Sequence, residues 1–332
     1  MKVLFIGGTG NISVSVSKLV VARGFDLYLL NRGRQSVVID GAHTILADIT
    51  QPAQVQEAIG RQHFDVVVNW IAYHESDIER DLMLFNNRCG QYLFISSASA
   101  YQKPPTYSVI TESTPLANPY WKYSQEKIRC EERLIRAYRD EGFPITIVRP
   151  SHTYDTRFPI AVGNWASYVI PKRMLEGKPI VVHGDGTSLW TVTHSEDFAA
   201  GFVGLLGHPH ALGHAFHITS DFVLNWNQLY EQIGTALGVK PILVHIPSDF
   251  IAGVDPDMGA GLLGDKMWSI VFDNSKIKHF VPDYVARIPF HQGIRRTLTW
   301  YQADRSRMEV PAKDEEQIER ILAAYRRSIS IP

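Results

Sequence analysis

Short apolar runs alternate with longer segments of helical periodicity through the first half of the chain. The apolar runs predict strands at 3–6, 27–30, 44–46, 66–70, 92–96 and 145–149. The helical patterns between them lie at 12–23, 54–60, 76–85 and 124–141. Most of the predicted strands are apolar almost throughout, as strands covered on both faces must be. This alternation predicts an α/β fold built from βαβ units, with a doubly wound parallel sheet.

The pattern changes after Pro150, where glycine, proline and aromatic residues become more frequent. We therefore predict a second, smaller domain. A helical pattern at 198–206 and a strand pattern at 214–218 favour a return of the chain to the first domain. A charged amphipathic helix is predicted at 314–327. The predicted first domain is 1–150 with a return at 192–220, and the predicted second domain is 151–191 with 221–332.

Composition and charge narrow the classes of function. The chain has 332 residues, a formal net charge of -1 and two cysteines. A nearly neutral chain has no long-range attraction for nucleic acid, and two cysteines cannot build a disulfide framework. No stretch approaches the roughly 20 apolar residues that cross a bilayer. We therefore expect a soluble, cytoplasmic protein without nucleic-acid or membrane partners.

A glycine-rich segment follows the first predicted strand and begins the first predicted helix, Gly7-Gly8-Thr9-Gly10-Asn11-Ile12-Ser13. In this position Gly7 permits a tight turn, and Gly10 lets the backbone approach a pyrophosphate at the helix N-terminus. Ser13 stands where a third glycine is usual and is small enough to be tolerated. The segment predicts a dinucleotide site, and the alternative is an ordinary glycine turn.

The end of the second predicted strand bears on the choice of cofactor. It runs Leu30-Asn31-Arg32-Gly33-Arg34 and lacks the acidic residue that favours NAD. The guanidinium groups of Arg32 and Arg34 suit a 2′-phosphate, so NADP is favoured and NAD stays possible. The alternative is a solvated basic turn. Asp48, just after the third predicted strand, is expected to accept a hydrogen bond from the adenine amino group.

Tyr123 and Lys127 are four residues apart, which places both on one face of the predicted helix. A neighbouring ammonium and a nicotinamide cation favour the phenolate, which makes proton transfer from an alcohol feasible. Ser97, at the end of a predicted strand, can bond the substrate oxygen. A Tyr and Lys pair alone is usually a surface feature, but its place after a dinucleotide loop favours catalysis.

These motifs stand in the order and approximate spacing of the extended short-chain dehydrogenase/reductase superfamily. The chain resembles its NAD-dependent epimerase/dehydratase branch, and the segments 147–150 and 183–187 extend the resemblance over most of the length. The resemblance implies a Rossmann-type domain, a smaller C-terminal substrate-binding domain, and a homodimer formed through two helices of each subunit. It implies Ser97, Tyr123 and Lys127 as the catalytic triad. The expected cofactor contacts are Gly7, Gly10, Asn11, Ile12, Asn31, Arg32, Asp48, Ala72, Tyr123 and Lys127.

Departures from that branch bear on the substrate. Sugar-nucleotide enzymes usually carry an arginine where this chain has Trp190, and an indole cannot neutralise a diphosphate. The substrate is therefore expected to be sugar-like, with its link to a nucleotide in doubt. Ser97 is followed by Ala98 and Ser99, without the Asp-Glu pair of the 4,6-dehydratases, so that reaction is disfavoured. The candidate substrate contacts are Tyr73, His74, Ser99, His152 and Trp190.

Two groups of residues with metal-binding side chains are expected to be structural, so no metal site is predicted. The first comprises four histidines between His208 and His217 in a predicted loop and strand. The second comprises His194, Glu196 and Asp197, where the resemblance places a helix start and carboxylates cap N–H groups. The predicted function is a sugar or sugar-like alcohol oxidoreductase or epimerase that uses NAD(P). The alternative is a non-catalytic dinucleotide-sensing or RNA-associated protein on the same fold.

Overall fold

The computed structural model of this chain describes residues 1–33 and 37–329. Its strands are, in chain order, β1 (Lys2–Ile6), β2 (Asp26–Asn31), β3 (His43–Leu46), β4 (Phe64–Asn69), β5 (Cys89–Ile95), β6 (Val109–Ile110), β7 (Ile145–Pro150), β8 (His152–Tyr154), β9 (Pro179–His183), β10 (Leu189–Trp190), β11 (Val192–His194), β12 (Ala215–Ile218), β13 (Leu224–Asn225), β14 (Ile242–Ile246) and β15 (Val271–Phe272).

The α-helices are α1 (Ser13–Ala22), α2 (Pro52–Ile59), α3 (Glu75–Phe85), α4 (Lys122–Glu141), α5 (Val169–Leu175), α6 (Ser195–Leu205), α7 (Trp226–Leu237), α8 (Ser248–Val254), α9 (Pro256–Gly261), α10 (Ser275–Phe280), α11 (Phe290–Gln302) and α12 (Ala312–Ile329). A π-helical turn follows α9 at Leu262–Lys266, and a 3₁₀ turn follows β5 at Ala98–Ala100. Within the described residues, no helix is both long and apolar enough to span a membrane.

The central sheet has the strand order β12-β7-β5-β4-β1-β2-β3, and every neighbouring pair is parallel. Helices α1 and α6 cover one face with apolar side chains such as Val16 and Phe202. Helices α2, α3 and α4 cover the other with Val55, Ile78 and Leu134. Covering both faces explains why the strand sequences are apolar almost throughout. The predicted doubly wound, Rossmann-type sheet is confirmed.

The rest of the chain builds smaller sheets of two strands each, among them β8 with β11 and β9 with β14. They share an apolar cluster rich in large aromatic side chains, including Tyr154, Phe158, Trp226 and Tyr301. The chain also returns to the central sheet, because β12 pairs with β7. The amphipathic pattern near the C-terminus forms α12, which buries Ile318, Ile321 and Leu322. The domain limits given above stay a prediction.

The histidine and carboxylate groups lie in structural positions. His217 contacts the Tyr101 hydroxyl at 3.0 Å and the Asp273 carbonyl at 2.7 Å. His194 caps α6 by accepting a hydrogen bond from the Glu196 N–H. The expectation that Asp197 caps this helix is wrong, because its carboxylate accepts from the N–H groups of residues 287 and 288, both at 2.9 Å. The described residues contain no group of side chains suited to a metal ion.

Candidate active site

A cleft of about 1060 Å³ lies at the carboxyl ends of the central strands. Loops that follow β1, β2, β3, β4, β5 and β7 form one wall. This is the edge at which doubly wound sheets bind their ligands. The opposite wall comes from later parts of the chain, with contributions from 160–165 and 257–266. The cleft therefore joins the predicted dinucleotide site to residues that follow the first domain in sequence.

The glycine loop has the backbone conformation that a dinucleotide site requires. Gly7 and Gly8 have φ of +93° and +96°, a region that favours glycine. A Cβ added to Gly8 would lie 2.7 Å from Leu29 Cδ2, so this position has no room for a side chain. At Gly10 an added Cβ would meet only Ser13 Oγ, at 3.6 Å. The loop thus exposes backbone to the cleft at Gly10, where a pyrophosphate would approach.

Serine replaces the third glycine because its hydroxyl holds this loop. Ser13 Oγ accepts a hydrogen bond of 2.8 Å from the Gly10 N–H. Helix α1 begins at Ser13 with no capping side chain and no acidic residue in its first turn. Asn11 donates to the Thr153 carbonyl at 3.0 Å, while its own buried Oδ1 has no partner among the described residues. A helix N-terminus without a capping side chain fits a bound pyrophosphate, whereas Asn11 Oδ1 is an acceptor and can be satisfied only by a donor such as a hydroxyl.

The predicted adenosine end of the cleft contains Asn31, Arg32 and Asp48. Asn31 Oδ1 accepts from the Gly33 N–H at 2.8 Å and so shapes the turn after β2. Arg32 Nη1 lies 4.0 Å from Asp48 Oδ2, and 57% of the Arg32 side chain is exposed. Asp48 also accepts two hydrogen bonds from Thr50. Arg32 is thus held loosely at the cleft edge, whereas Arg34 lies outside the described residues.

The structure brings Ser97, Tyr123 and Lys127 together in the cleft. Helix α4 begins at Lys122, two residues earlier than predicted, so Tyr123 lies in its first turn and Lys127 one turn later. Lys127 Nζ is 5.8 Å from the centre of the Tyr123 ring. The Ser97 hydroxyl is close enough to the Tyr123 phenol to lower the pKa of Tyr123. Ser97 follows β5 and accepts from the Ser99 N–H at 3.2 Å, which fixes its position.

Lys127 is a buried cation held by backbone. Its ammonium donates to the carbonyls of Ala72 and Ile95, both at 2.7 Å. Burial lowers the pKa of Lys127 to about 8, although the thiol of Cys130 and the carboxylates of Glu131 and Asp77 oppose this effect. Ala72 itself does not line the cleft and contributes its carbonyl to Lys127. This hydrogen bond gives Ala72 a role in positioning Lys127, and its contact with the cofactor stays a prediction.

The Tyr123 phenol favours its neutral form when no dinucleotide is bound. Burial raises its pKa, and the neighbouring Tyr73 raises it further, while the Ser97 hydroxyl lowers it. A cationic nicotinamide ring beside the phenol would oppose this rise. The residues at the cleft therefore fit a dinucleotide that brings its own positive charge to Tyr123.

Four of the five candidate substrate residues line the cleft: Tyr73, Ser99, His152 and Trp190. Ser99 bonds to the hydroxyls of Ser97 and Ser124, at 2.8 and 2.7 Å, so it helps to hold Ser97 in place. Burial, together with the positive charge of Lys266, lowers the pKa of His152 to about 3, which keeps this imidazole neutral. The indole Nε1 of buried Trp190 has no hydrogen-bond partner among the described residues.

His74 does not line the cleft, so the structure gives its predicted contact with the substrate no support, and the contact stays a prediction. It is the N-cap of α3, in a capping box with Asp77. Its ring lies 3.4 Å from the Glu126 carboxylate on the protein surface. The chain turns into α3 directly after Tyr73, and this turn carries the His74 side chain away from the cleft.

Several residues that line the cleft were not singled out from the sequence as site residues. Pro150 ends β7, Ser151 follows it and Thr153 lies in β8, and their position after the strand predicted at 145–149 is a signal that could have identified them. Trp121, Asp257, Asp265 and Lys266 also line the cleft. These residues belong to separate parts of the sequence, and only the folded chain brings them together.

Comparisons with known proteins agree with the site. Residues 3–219 match the family described as the NAD dependent epimerase/dehydratase family. The 2'-dehydrokanamycin reductase of Streptomyces kanamyceticus is 26% identical over 86% of this chain and 81% of the reductase. The chloroplast stem-loop binding protein of 41 kDa b from Arabidopsis thaliana is 25% identical over 76% of this chain and 68% of its own length.

The fold is shared with solved enzymes. The UDP-glucose 4-epimerase of Thermus thermophilus, solved as a complex with NAD, superimposes with a TM-score of 0.71 at 18% identity. The alignment covers 91% of this chain and 99% of the epimerase. At this level of identity, the likeness establishes the common architecture.

Proposed function

This chain belongs to the NAD dependent epimerase/dehydratase family, a family of enzymes, and from that premise we propose that it is an NADP-dependent oxidoreductase of a sugar or sugar-like alcohol. The observation that carries the proposal is the cluster of Ser97, Tyr123 and Lys127 in one cleft with the glycine loop. A proton-transferring phenol beside a dinucleotide site suits the interconversion of an alcohol and a carbonyl.

We propose the following roles for the three side chains. A bound nicotinamide dinucleotide supplies the hydride chemistry. Tyr123 takes the hydroxyl proton of the alcohol and returns it to the carbonyl oxygen in the reverse direction. Ser97, which lines the same cleft as Tyr123, holds the same substrate oxygen. Lys127 provides a positive charge one helical turn away and stabilises the phenolate.

The preference for NADP rests on Arg32, whose exposed guanidinium lies at the cleft edge. Arg32→Ala should weaken the binding of NADP at least tenfold and leave the affinity for NAD within about twofold, since only NADP carries the 2′-phosphate. Arg23→Ala is the control, because Arg23 is exposed and lies outside the cleft. An equal loss of affinity for both dinucleotides would exclude the phosphate contact.

The charges of the opposite wall support a substrate without a nucleotide. Among the described residues after Pro150, Lys266 is the one cation that lines the cleft, and its ammonium lies 3.8 Å from the Asp265 carboxylate. Asp257 adds a further negative charge. A diphosphate would meet little compensating charge here. The relative named 2'-dehydrokanamycin reductase, whose named substrate is not a nucleotide sugar, also supports this substrate class.

The deciding experiment is to purify the protein, identify any retained dinucleotide, and supply NADP with a panel of alcohols. The panel should include simple glycosides, kanamycin and UDP-glucose. We expect alcohol-dependent formation of NADPH, measured by absorbance, with a non-nucleotide compound. Epimerisation without net reduction of the dinucleotide would make the protein an isomerase, and no reaction in either direction would contradict the proposal.

The rival function is a non-catalytic dinucleotide sensor or RNA-associated protein. The similarity to the chloroplast stem-loop binding protein of 41 kDa b is the observation that favours it. The grouped Ser97, Tyr123 and Lys127 favour catalysis, because a sensor does not need a phenol and a buried ammonium in its cleft. The net charge of -1 also gives no support to polyanion binding. Retention of an RNA stem-loop at physiological salt, together with absent turnover, would favour the rival.

We also propose a homodimer through the outer faces of α3 and α4, as the family resemblance implies. Met83 on α3 and Tyr138 on α4 are exposed apolar side chains on these helices. Light scattering should give twice the chain mass of 37.5 kDa. The mass of a single chain at micromolar concentration would contradict the dimer.

A further inference from the structure

We infer that Asp265 is a specificity-determining residue whose carboxylate accepts a hydrogen bond from a hydroxyl or ammonium group of the substrate. The inference rests on the proposed function, and it assigns a substrate contact to a part of the chain far in sequence from the catalytic residues. Asp265 lines the wall of the cleft opposite the glycine loop. It lies in the π-helical turn Leu262–Lys266, and such turns occur often at functional sites.

The Asp265 carboxylate is buried, and one of its two oxygens accepts no hydrogen bond from the described residues. The residue is 8% exposed, and its Oδ1 has no hydrogen-bond partner among the described residues. The nearest cations are Lys103 Nζ, 3.9 Å from Oδ1, and Lys266 Nζ, 3.8 Å from Oδ2. Both distances suit an ion pair but exceed hydrogen-bond length. A buried acceptor without a donor is costly, and a donor from the substrate would remove that cost.

The backbone around Asp265 is tied to the catalytic segment. Asn118 donates to the carbonyl of Gly264 at 2.6 Å and to that of Ser99 at 2.8 Å. A Cβ added to Gly264 would lie 2.7 Å from the Cβ of Trp121, so glycine permits this close approach. The Asp265 charge also raises the pKa of Tyr123, which places the two side chains within electrostatic reach. Asp265 therefore follows a residue whose backbone is held against Ser99 and Trp121, on the segments that flank the catalytic residues.

Two of the candidate substrate residues in the same cleft also carry unpartnered polar atoms among the described residues. One is the indole Nε1 of Trp190, which is a donor. The other is the Nδ1 of the neutral His152 imidazole. A carboxylate that accepts and an indole that donates form the complement of a polyhydroxylated ring, and the Trp121 and Trp190 faces suit its apolar surface. The set therefore points to a sugar-like ring with a hydroxyl or amino group directed at Asp265.

The test uses the NADP-loaded full-length protein and two probes that differ in one group, methyl α-glucopyranoside and methyl 2-amino-2-deoxy-α-glucopyranoside. Their affinities are measured by ligand-observed NMR titration. Asp265→Asn keeps the size of the side chain and removes its charge. We expect it to weaken at least one probe tenfold or more while the affinity for NADP stays unchanged. Asp249→Asn is the matched control, because Asp249 is exposed and outside the cleft.

The comparison between probes identifies the donor. A larger loss for the amino probe assigns an ammonium to Asp265, and an equal loss assigns a hydroxyl that both probes share. Binding of both probes by Asp265→Asn as tightly as by the wild type would overturn the inference but leave the proposed function intact. Failure of both probes to bind the NADP-loaded wild type would also overturn it. Failure of NADP itself to bind would contradict the proposed function and the inference together.

A thermal unfolding scan accompanies each titration, because Asp265 also faces the buried Lys103. An unchanged melting temperature with weakened probe binding supports recognition. If Asp265→Asn unfolds, Trp190→Phe replaces it, since that variant keeps an aromatic ring and removes the Nε1 donor. If Trp190→Phe then bound both probes as tightly as the wild type, the proposed recognition of the substrate by Asp265 and Trp190 would be overturned.

Discussion

Replacing Lys127 should change how the stability of the protein depends on pH. Lys127 is 2% exposed, and burial lowers its pKa from 10.5 to about 8, with Cys130, Glu131 and Asp77 opposing. The folded state therefore carries an ammonium at neutral pH that the unfolded chain solvates better. With about 1.4 kcal/mol for each pH unit between the two pKa values, this costs roughly 3 kcal/mol near pH 7.

The direction in which stability changes with pH follows from proton linkage. Between about pH 8 and 10.5 the unfolded chain binds more protons at Lys127 than the folded protein does, so stability rises with pH in this window. Lys127→Met removes the titrating group. The difference in the free energy of unfolding between wild type and Lys127→Met should shift by about 2 kcal/mol in favour of the wild type between about pH 7 and about pH 9.5.

The assay is urea unfolding of the dinucleotide-free protein at these two pH values, followed by tryptophan fluorescence. The difference between two pH values is informative because the loss of the hydrogen bonds to Ala72 and Ile95 is nearly the same at both. Lys18→Met is the control, since Lys18 is exposed on α1 and should show no such shift. Equal pH dependence in wild type and Lys127→Met would refute the reasoning about the buried ammonium.

Two further predictions concern a buried ion pair and a buried histidine. Arg149→Met leaves Glu131, which is fully buried and bonded to Arg149 at 2.6 Å, without its partner, so urea unfolding should show a loss of about 3–5 kcal/mol. Adding Glu131→Leu should recover most of it, and no recovery would argue against an uncompensated charge as the cause. Because burial and the Lys266 charge lower the pKa of His152 to about 3, His152→Asn should leave the shape of the kcat/KM profile unchanged between about pH 5 and 9. The loss of a limb from that profile would show that His152 ionises during turnover.

Most of the first domain was predictable because the residue pattern of each strand indicates how that strand is buried. Segments such as Val3–Ile6 and Val66–Val68 are fully buried in a sheet covered on both faces, and continuous apolar runs indicate that arrangement. The glycine loop was predictable because strand, glycines and helix occur in one continuous segment. The structure adds the reason for Ser13, a hydrogen bond that glycine could not make.

The second wall of the cleft was not predictable in the same way. Asp265 reaches the cleft through a π-helical turn and through the bonds of Asn118, and neither has a signature in the sequence. The location rule for strand ends predicted Tyr73 correctly as a cleft residue, but it failed for His74, one residue later. That failure has a local cause, because His74 caps α3 and turns outward.

The central claim is that the Tyr123 hydroxyl transfers the proton. The most direct measurement is turnover of the alcohol found in the panel by Tyr123→Phe, with the affinity for NADP measured alongside. Phenylalanine keeps the ring beside Trp121 and Tyr73 and removes only the hydroxyl. The account predicts a fall in kcat of at least about a hundredfold, with NADP affinity changed by less than about threefold. Turnover by Tyr123→Phe at the rate of the wild type would contradict it.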